Sequence, residues 1–132
     1  MNIQVDPIIK ILGIETLELT VGAILFRILL SVVLAAIIGC ERSSKRHAAG
    51  LRTFIVVSLA STMAMLLDIY ISAGTGGHIF MLSGACVIGI AVITVNSILY
   101  SSRNQIKGLT TSVGLWACSI LGLTIGAGFY TV

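Results

Sequence analysis

Four apolar stretches, each about 20 residues long and separated by short polar breaks, constrain this chain more than any other feature. They occupy residues 19–40, 53–72, 79–100 and 109–130. A helix needs about 20 mainly apolar residues to cross roughly 30 Å of hydrocarbon, and each stretch meets that length. The breaks are a charged loop from Glu41 to Arg52, a glycine-rich turn at residues 73–78 with Gly74, Gly76 and Gly77, and a basic loop at residues 101–108. Connections this short join antiparallel neighbours. The expected fold is therefore all-α and polytopic, with four transmembrane helices arranged as two antiparallel hairpins in residues 19–132. Only 10% of the 132 residues are charged and the mean hydropathy is +1.09, whereas a soluble domain carries about 25% charge.

The cations orient the chain. Arg42, Lys45, Arg46, Arg52, Arg103 and Lys107 fall on one side of the four-span arrangement, and Lys10 alone falls on the other. The positive-inside rule makes the crowded side cytoplasmic and puts both termini outside. Tyr70, Tyr100 and Tyr130 fall at span ends, as an interfacial belt requires. Residues 1–18 form an outer tail without the basic start or cleavage site of a secretory signal. Asp6-Pro7 reads there as a helix start, and Ile8, Ile9, Ile11 and Leu12 would form a short interfacial helix or a frayed tail.

The second and fourth spans open alike. Gly50-Leu51-Arg52-Thr53 and Gly108-Leu109-Thr110-Thr111 lie 58 positions apart, and each follows a basic loop. This suggests a parallel internal repeat with the two helix starts side by side. Small residues at four-residue spacing mark close helix contacts in lipid. They recur at Ser31, Ala35 and Gly39, at Ala85 and Gly89, and at Gly114, Cys118, Gly122 and Gly126. Cys40, Cys86 and Cys118 read as small packing residues, with neither disulfide nor ligand spacing.

Two charged residues stand inside the spans, Arg27 and Asp68, and Asn96, with Thr94 and Ser97, is the other polar interruption. Arg27 lies about 21 Å along the axis from Glu41, and Asp68 about 24 Å from Arg52, at ~1.5 Å per residue. The shared depth predicts an Arg27–Asp68 ion pair, against the simpler outcome of Arg27 snorkelling alone. Asn96 would hydrogen-bond between helices or line a solute path. At the basic surface the helix-start N–H groups at Gly50 and Gly108 attract anions. With Arg42, Arg52 and Lys107 they could hold a lipid headgroup or an acidic partner; the alternative is simple topology with a Glu41–Arg52 salt bridge. No metal site, cofactor motif or catalytic grouping is present in the sequence, so an enzyme is not expected. Net +3 is too little for a nucleic-acid binder.

The run Ile38-Gly39-Cys40-Glu41-Arg42, then Ala49-Gly50-Leu51-Arg52-Thr53, resembles the MgtC/SapB family of bacterial membrane proteins. So do Lys107-Gly108-Leu109-Thr110-Thr111, Leu115-Trp116-Ala117 and Ile125-Gly126-Ala127-Gly128, with Arg27 placed as that family places its arginine. The likeness covers roughly residues 24–130. By it, Arg27, Glu41, Arg42, Gly50, Arg52, Thr53, Gly108 and Thr111 inherit the family's motif positions. The resemblance implies an inner-membrane regulator linked to magnesium limitation and, in pathogens, to survival inside host cells. Its expected partners are the lipid bilayer and a second copy or another membrane protein, with the ATP synthase as one proposed target. A small transporter or channel subunit using Arg27, Asp68 and Asn96 is the alternative. The third span departs from the family, keeping only Gly89 of a dense glycine run, and relatives commonly add a fifth span and a cytoplasmic domain beyond the point where this sequence stops.

The topology is directly testable. A cysteine placed at position 2 should react with an impermeant thiol reagent on intact cells, and one at position 45 should react only after lysis.

Overall fold

The computed structural model describes residues 21–44, 49–77, 80–99 and 109–130. These form four helices: α1 (Val21–Ser44), α2 (Leu51–Thr75), α3 (Met81–Leu99) and α4 (Leu109–Ala127). α1 and α2 overrun their apolar stretches, while α3 and α4 stay within theirs. α1 continues through Glu41 and Arg42, where the hydropathy pattern predicts a loop, and α2 begins at Leu51, so Arg52 and Thr53 sit in its first turn. The reason is that hydrocarbon sets where apolar residues stop, while backbone hydrogen bonding sets where a helix stops. Glu and Arg are good helix formers and extend the rod into the polar zone. α2 ends at Gly76, whose φ of 68° turns the chain left-handed while its N–H closes on the Ser72 carbonyl at 3.1 Å.

Contacts between helices give their directions. Gly114 faces Phe54, Gly122 faces Ser58 and Ser61, and Gly126 faces Thr62 and Met65, so α2 and α4 run parallel. Gly39 against Leu51 and Ser31 against Ser58 make α1 antiparallel to α2. Two parallel helices joined in one chain need a return pass, and α3 supplies it: Thr94 meets Ser112 and Cys86 meets Ser61. α2 and α4 occupy the centre, α1 and α3 flank them, and α1 and α3 do not touch. α1, α2 and α4 are each long and apolar enough to cross a membrane, while α3 carries a shorter apolar run, Met81–Val95. The end carrying Arg42 and Arg52 is called the basic end below.

The 58-residue repeat is visible in this packing. The α4 start is the α2 start shifted by 58, and Ser61 and Ser119, also 58 apart, hydrogen-bond to each other at 2.8 Å. The offset holds for the two central helices, whose starts stand on the same side, but not for the flanking ones: Arg27 and Ser31 are buried on α1, while Ala85 and Gly89, 58 positions on, are exposed.

Burial is inverted relative to a soluble bundle. The interior holds Arg27, Ser31, Ser58, Ser61, Thr62, Asp68 and Ser119, while Leu25, Leu29, Ile37, Ile88 and Val92 face outward. Among the described residues a compact apolar cluster, Ala35, Ala49, Phe54, Leu115 and Cys118, sits toward the basic end. In lipid the tails are as apolar as leucine, so helices associate through close packing and hydrogen bonds.

Two of the three small-residue stripes make the expected contacts. A Cβ on Gly122 would collide with the Ser58 carbonyl, one on Gly126 would come within 2.8 Å of Met65 Cβ, and one on Gly39 within 2.8 Å of Leu51 Cα. The α3 stripe is a correction. Ala85 and Gly89 are exposed, and the buried positions are Ser83, Ile90 and Thr94. Hydrogen bonds at Ser83, Cys86 and Thr94 fix the rotation of α3 and turn Ala85 and Gly89 away from the bundle.

Replacing Gly122 by valine should lower the stability of the detergent-solubilised protein by at least ~1–3 kcal/mol, the usual cost of overpacking. Gly89→Ala, where nothing lies within 4 Å, should leave the thermal midpoint unchanged.

Candidate functional site

The polar interior has three parts, set along the bundle from the glycine-turn end to the basic end. At the glycine-turn end stands Arg27, only 6% exposed and on the same face of α1 as Ala23, Ser31, Ala35 and Gly39. It points at the C-terminus of α4. That helix closes with Phe129 N–H on the Thr124 carbonyl and Gly128 N–H on the Ile125 carbonyl, both at 3.0 Å, and with Gly128 at φ 87°. This pair of bonds with a left-handed glycine is a Schellman motif. Arg27 Nη1 donates to the Gly126 carbonyl at 2.8 Å and Nε donates to the Tyr130 hydroxyl at 3.2 Å. A helix C-terminus carries about half a negative charge, so the cation is favourably placed there. Phe26 meets the Tyr130 ring edge to face at 5.9 Å and holds it in position. Gly128 is constrained twice, by its positive φ and by the guanidinium, which would lie 3.0 Å from a Cβ.

Asp68 is fully buried on α2 at the same end. Its two carboxylate oxygens accept from Leu82 N–H at 3.0 Å and Ser83 N–H at 2.7 Å. These are among the first N–H groups of α3, which lack intrahelical partners. Phe80 precedes the helix and has no side-chain oxygen, so Asp68 supplies the cap from a neighbouring helix.

This corrects the expected Arg27–Asp68 ion pair. The two charges do share a depth class, but the hydrogen bonds described hold each of them to a helix terminus of the second hairpin. Partial charges at helix ends are fixed in place and aimed along the axis, so each charge meets a preoriented partner.

The middle part is a seam of hydroxyls. Ser31 and Ser58 share a hydrogen bond at 2.8 Å, and Thr62 Oγ1 lies 2.8 Å from Ser31 Oγ, 2.8 Å from the Ser58 carbonyl and 3.0 Å from the Gly122 carbonyl. One hydroxyl carries one proton, so Thr62 can satisfy these acceptors only by sharing or alternating it. Ser61 contacts Ser119 at 2.8 Å, the Val57 carbonyl at 2.9 Å and Cys86 Sγ at 3.4 Å. Cys118, fully buried, donates to the Phe54 carbonyl at 3.5 Å. Among the described residues every fully buried side-chain nitrogen or oxygen has a partner, and no three His, Cys, Asp or Glu side chains gather as a metal group.

The basic end holds the remaining motif residues. Arg42 is half-buried, with Nε 3.9 Å from where a Gly114 Cβ would stand, whereas Glu41, Arg52 and Thr53 are exposed. Thr111, the repeat mate of Thr53, is only 3% exposed. Gly50 precedes α2 in extended conformation and provides no side-chain cap. Gly108 and Lys107, and the side chain of Asn96, lie outside the described residues.

The structure thus brings Arg42, Gly50 and Thr111 to one end and leaves Arg27 at the other, with Asp68. Sequence reasoning missed the hydroxyl seam as a unit. Its signal was the i, i+3, i+4 spacing of Ser58, Ser61 and Thr62 within an apolar helix. It also read Tyr130 as an interface marker and not as the acceptor for Arg27.

A bundle with an apolar exterior, a hydrogen-bonded polar interior and alternating helix directions defines a multi-pass helical membrane protein. The profile of the MgtC family matches residues 28–132, and the chain belongs to that family. It is 34% identical to Protein SapB of Bacillus subtilis (strain 168), over 81% of this chain and 49% of that protein. It is 30% identical to the Escherichia coli (strain K12) protein named "Putative magnesium transporter YhiD", over 80% of this chain and 52% of that one. Identity to Protein MgtC of Salmonella typhimurium (strain LT2) is 29%, over 79% and 43% respectively. The chain spans about half the length of the curated relatives it matches. No solved structure matches it.

Because the two charges have separate partners, a double-mutant cycle of Arg27→Gln and Asp68→Asn should be additive within about 0.5 kcal/mol. Each single change should cost roughly 1.5–3 kcal/mol, as expected when a hydrogen bond to a charged group is lost. A coupling energy well above 1 kcal/mol in detergent unfolding would restore the direct ion pair.

Proposed function

We propose that this chain is a regulatory or accessory protein of the bacterial plasma membrane, linked to adaptation to low magnesium, and that it acts by binding other membrane proteins. The observation that carries this reading is where the polar groups point. The central helices meet backbone to backbone at Gly122 and Gly126, and the seam hydroxyls pair with one another. The motif residues Glu41, Arg52 and Thr53 instead face outward at the basic end. A closed interior with an outward-facing motif suits recognition of a partner better than passage of a solute. On this reading the chain has no enzymatic role, both termini are periplasmic, and the basic end is cytoplasmic. Its partners are a second copy or another membrane protein, of which the ATP synthase is one named by the family resemblance.

A transporter or channel subunit is the second reading, favoured by the name of the Escherichia coli relative. One pair of experiments separates the two. Affinity purification in mild detergent should recover a specific membrane protein that is lost, by tenfold or more, with Arg52→Ala. Liposomes holding only this protein should show no magnesium flux above empty vesicles. Flux abolished by Asp68→Asn, with no partner recovered, would reverse the assignment.

A further inference from the structure

The contacts between α1 and α2 fix how far each helix reaches at the glycine-turn end. Ser31 meets Ser58 on the antiparallel neighbour, so Val21, ten residues before Ser31, stands level with Asp68, ten residues after Ser58. α2 runs seven residues further, to Thr75, which is about 10 Å at ~1.5 Å per residue. α4 stops short as well, since Gly126 faces Thr62 and Met65 and the helix ends at Ala127. The last two turns of α2 therefore rise above both helices that pack on its central face. That face continues into them. Counting ~100° per residue from Ser58, the α1 contacts Leu51 and Thr62 fall within about 40°. Ile69, Ala73 and Gly76 fall within about 60° of the same direction.

A groove of about 460 Å³ opens on this continuation, lined by Ile69, Ser72, Ala73, Gly76, Gly77 and Phe80. That is within the ~300–1,000 Å³ of clefts that take a whole ligand, and so has room for several side chains. A Cβ on Gly76 or Gly77 would meet nothing within 4 Å, and Phe80 is 55% exposed. We infer that the groove holds residues 8–19 of this same chain, packed on the end of α2 as the continuation of the α1–α2 interface. Residues 1–20 precede Val21 and lie outside the described residues. Their connection places them here, because Val21 stands at the lower edge of the groove. Their length suits it, because the seven positions 14–20 equal the seven by which α2 passes Asp68. Their chemistry suits it too, because seven of the twelve residues 8–19 are Ile or Leu. The α1–α2 register, carried back eighteen residues from Ser31, sets Gly13 level with Gly76, the left-handed glycine at which α2 ends. Docked there, the segment straps the glycine turn to the first hairpin. It covers Ile69 and Phe80, the chain neighbours of Asp68 and of the α3 start that Asp68 caps. None of this depends on whether the protein regulates a partner or moves a solute.

The full chain, with Cys40, Cys86 and Cys118 replaced by alanine, is reconstituted in nanodiscs, where both faces meet the reagent. Ala73→Cys, in the groove, and Gly74→Cys, outside its lining, are each alkylated with a maleimide. Ala73→Cys should react at least tenfold more slowly than it does in a chain also carrying Ile11→Asp and Leu17→Asp, while Gly74→Cys reacts equally in both. In a second arm, Leu17→Cys and Ala73→Cys are combined and exposed to a mild oxidant. A disulfide forms readily only when the Cα atoms come within about 7 Å, so closure within one chain reports the docked segment. A disulfide joining two chains means that a second copy fills the groove, and protection unchanged by the aspartates means that lipid does; either overturns the assignment. Equal labelling without any disulfide overturns it as well. Should the aspartate variant fail to fold, as its thermal midpoint reports, the disulfide arm decides alone.

Discussion

Inside a bilayer no water is available to complete a hydrogen bond, and every buried polar group must find its partner in the protein. That requirement explains the arrangement of the chain better than hydrophobicity does. Leucine, isoleucine and valine cover the outside, where they cost nothing against lipid, and contribute little to holding helices together. The serines and threonines of α1, α2 and α4 instead find one another and each other's carbonyls. Such bonds are reachable only where backbones approach closely. Glycine at positions 122 and 126 permits that approach, because any Cβ there would meet α2. Close packing and hydrogen bonding are thus one device: the glycines bring Thr62 within 3.0 Å of a neighbouring carbonyl, and the hydroxyl removes the polar liability of that carbonyl.

Much of this was legible in the sequence. The four-helix hairpin pattern followed from length and hydropathy, and the repeat from two short matched segments whose offset reappears in the Ser61–Ser119 contact. The stripes of α1 and α4 also emerged as contact faces. What the sequence concealed were choices between chemically equivalent partners. Depth along the helix places Arg27 near Asp68, but depth is one coordinate and says nothing about azimuth. Arg27 faces α4 and Asp68 faces α3. Helix termini are backbone features without a residue letter of their own, so the partners of both charges were invisible to a search for opposite charges. The α3 stripe failed for a related reason: Ala85 and Gly89 satisfy a spacing rule, but bonds made by other residues set the helix rotation.

The two charges also define how the hairpins are joined. Both belong to the first hairpin, and both helix ends they grip belong to the second. Under the 58-residue shift, Asp68 and Gly126 occupy equivalent positions on the two central helices, and each is the point where a flanking helix of the other hairpin is tied in. The repeat therefore uses one position for one structural task with two unlike chemistries, a carboxylate on N–H groups in one case and a carbonyl under a guanidinium in the other.

The same logic separates the two ends of the bundle by what they can do. At the glycine-turn end each charge is matched by a helix terminus of opposite sign, so the electrostatics close on themselves and the end acts as a fastener. At the basic end Arg42 and Arg52 stand near the starts of two parallel helices, with Glu41 beside Arg42 on α1. A protein could relieve this by placing an aspartate or serine before each helix, the ordinary cap. The residue before α2 is instead glycine, and α2 and α4 have no acid in their first turns. Leaving the start of α2 without a side-chain cap forgoes the stabilisation that such a cap gives. The two ends therefore differ in kind: the intramembrane charges are matched inside the bundle by helix termini, while Arg52 and Glu41 at the basic end are exposed.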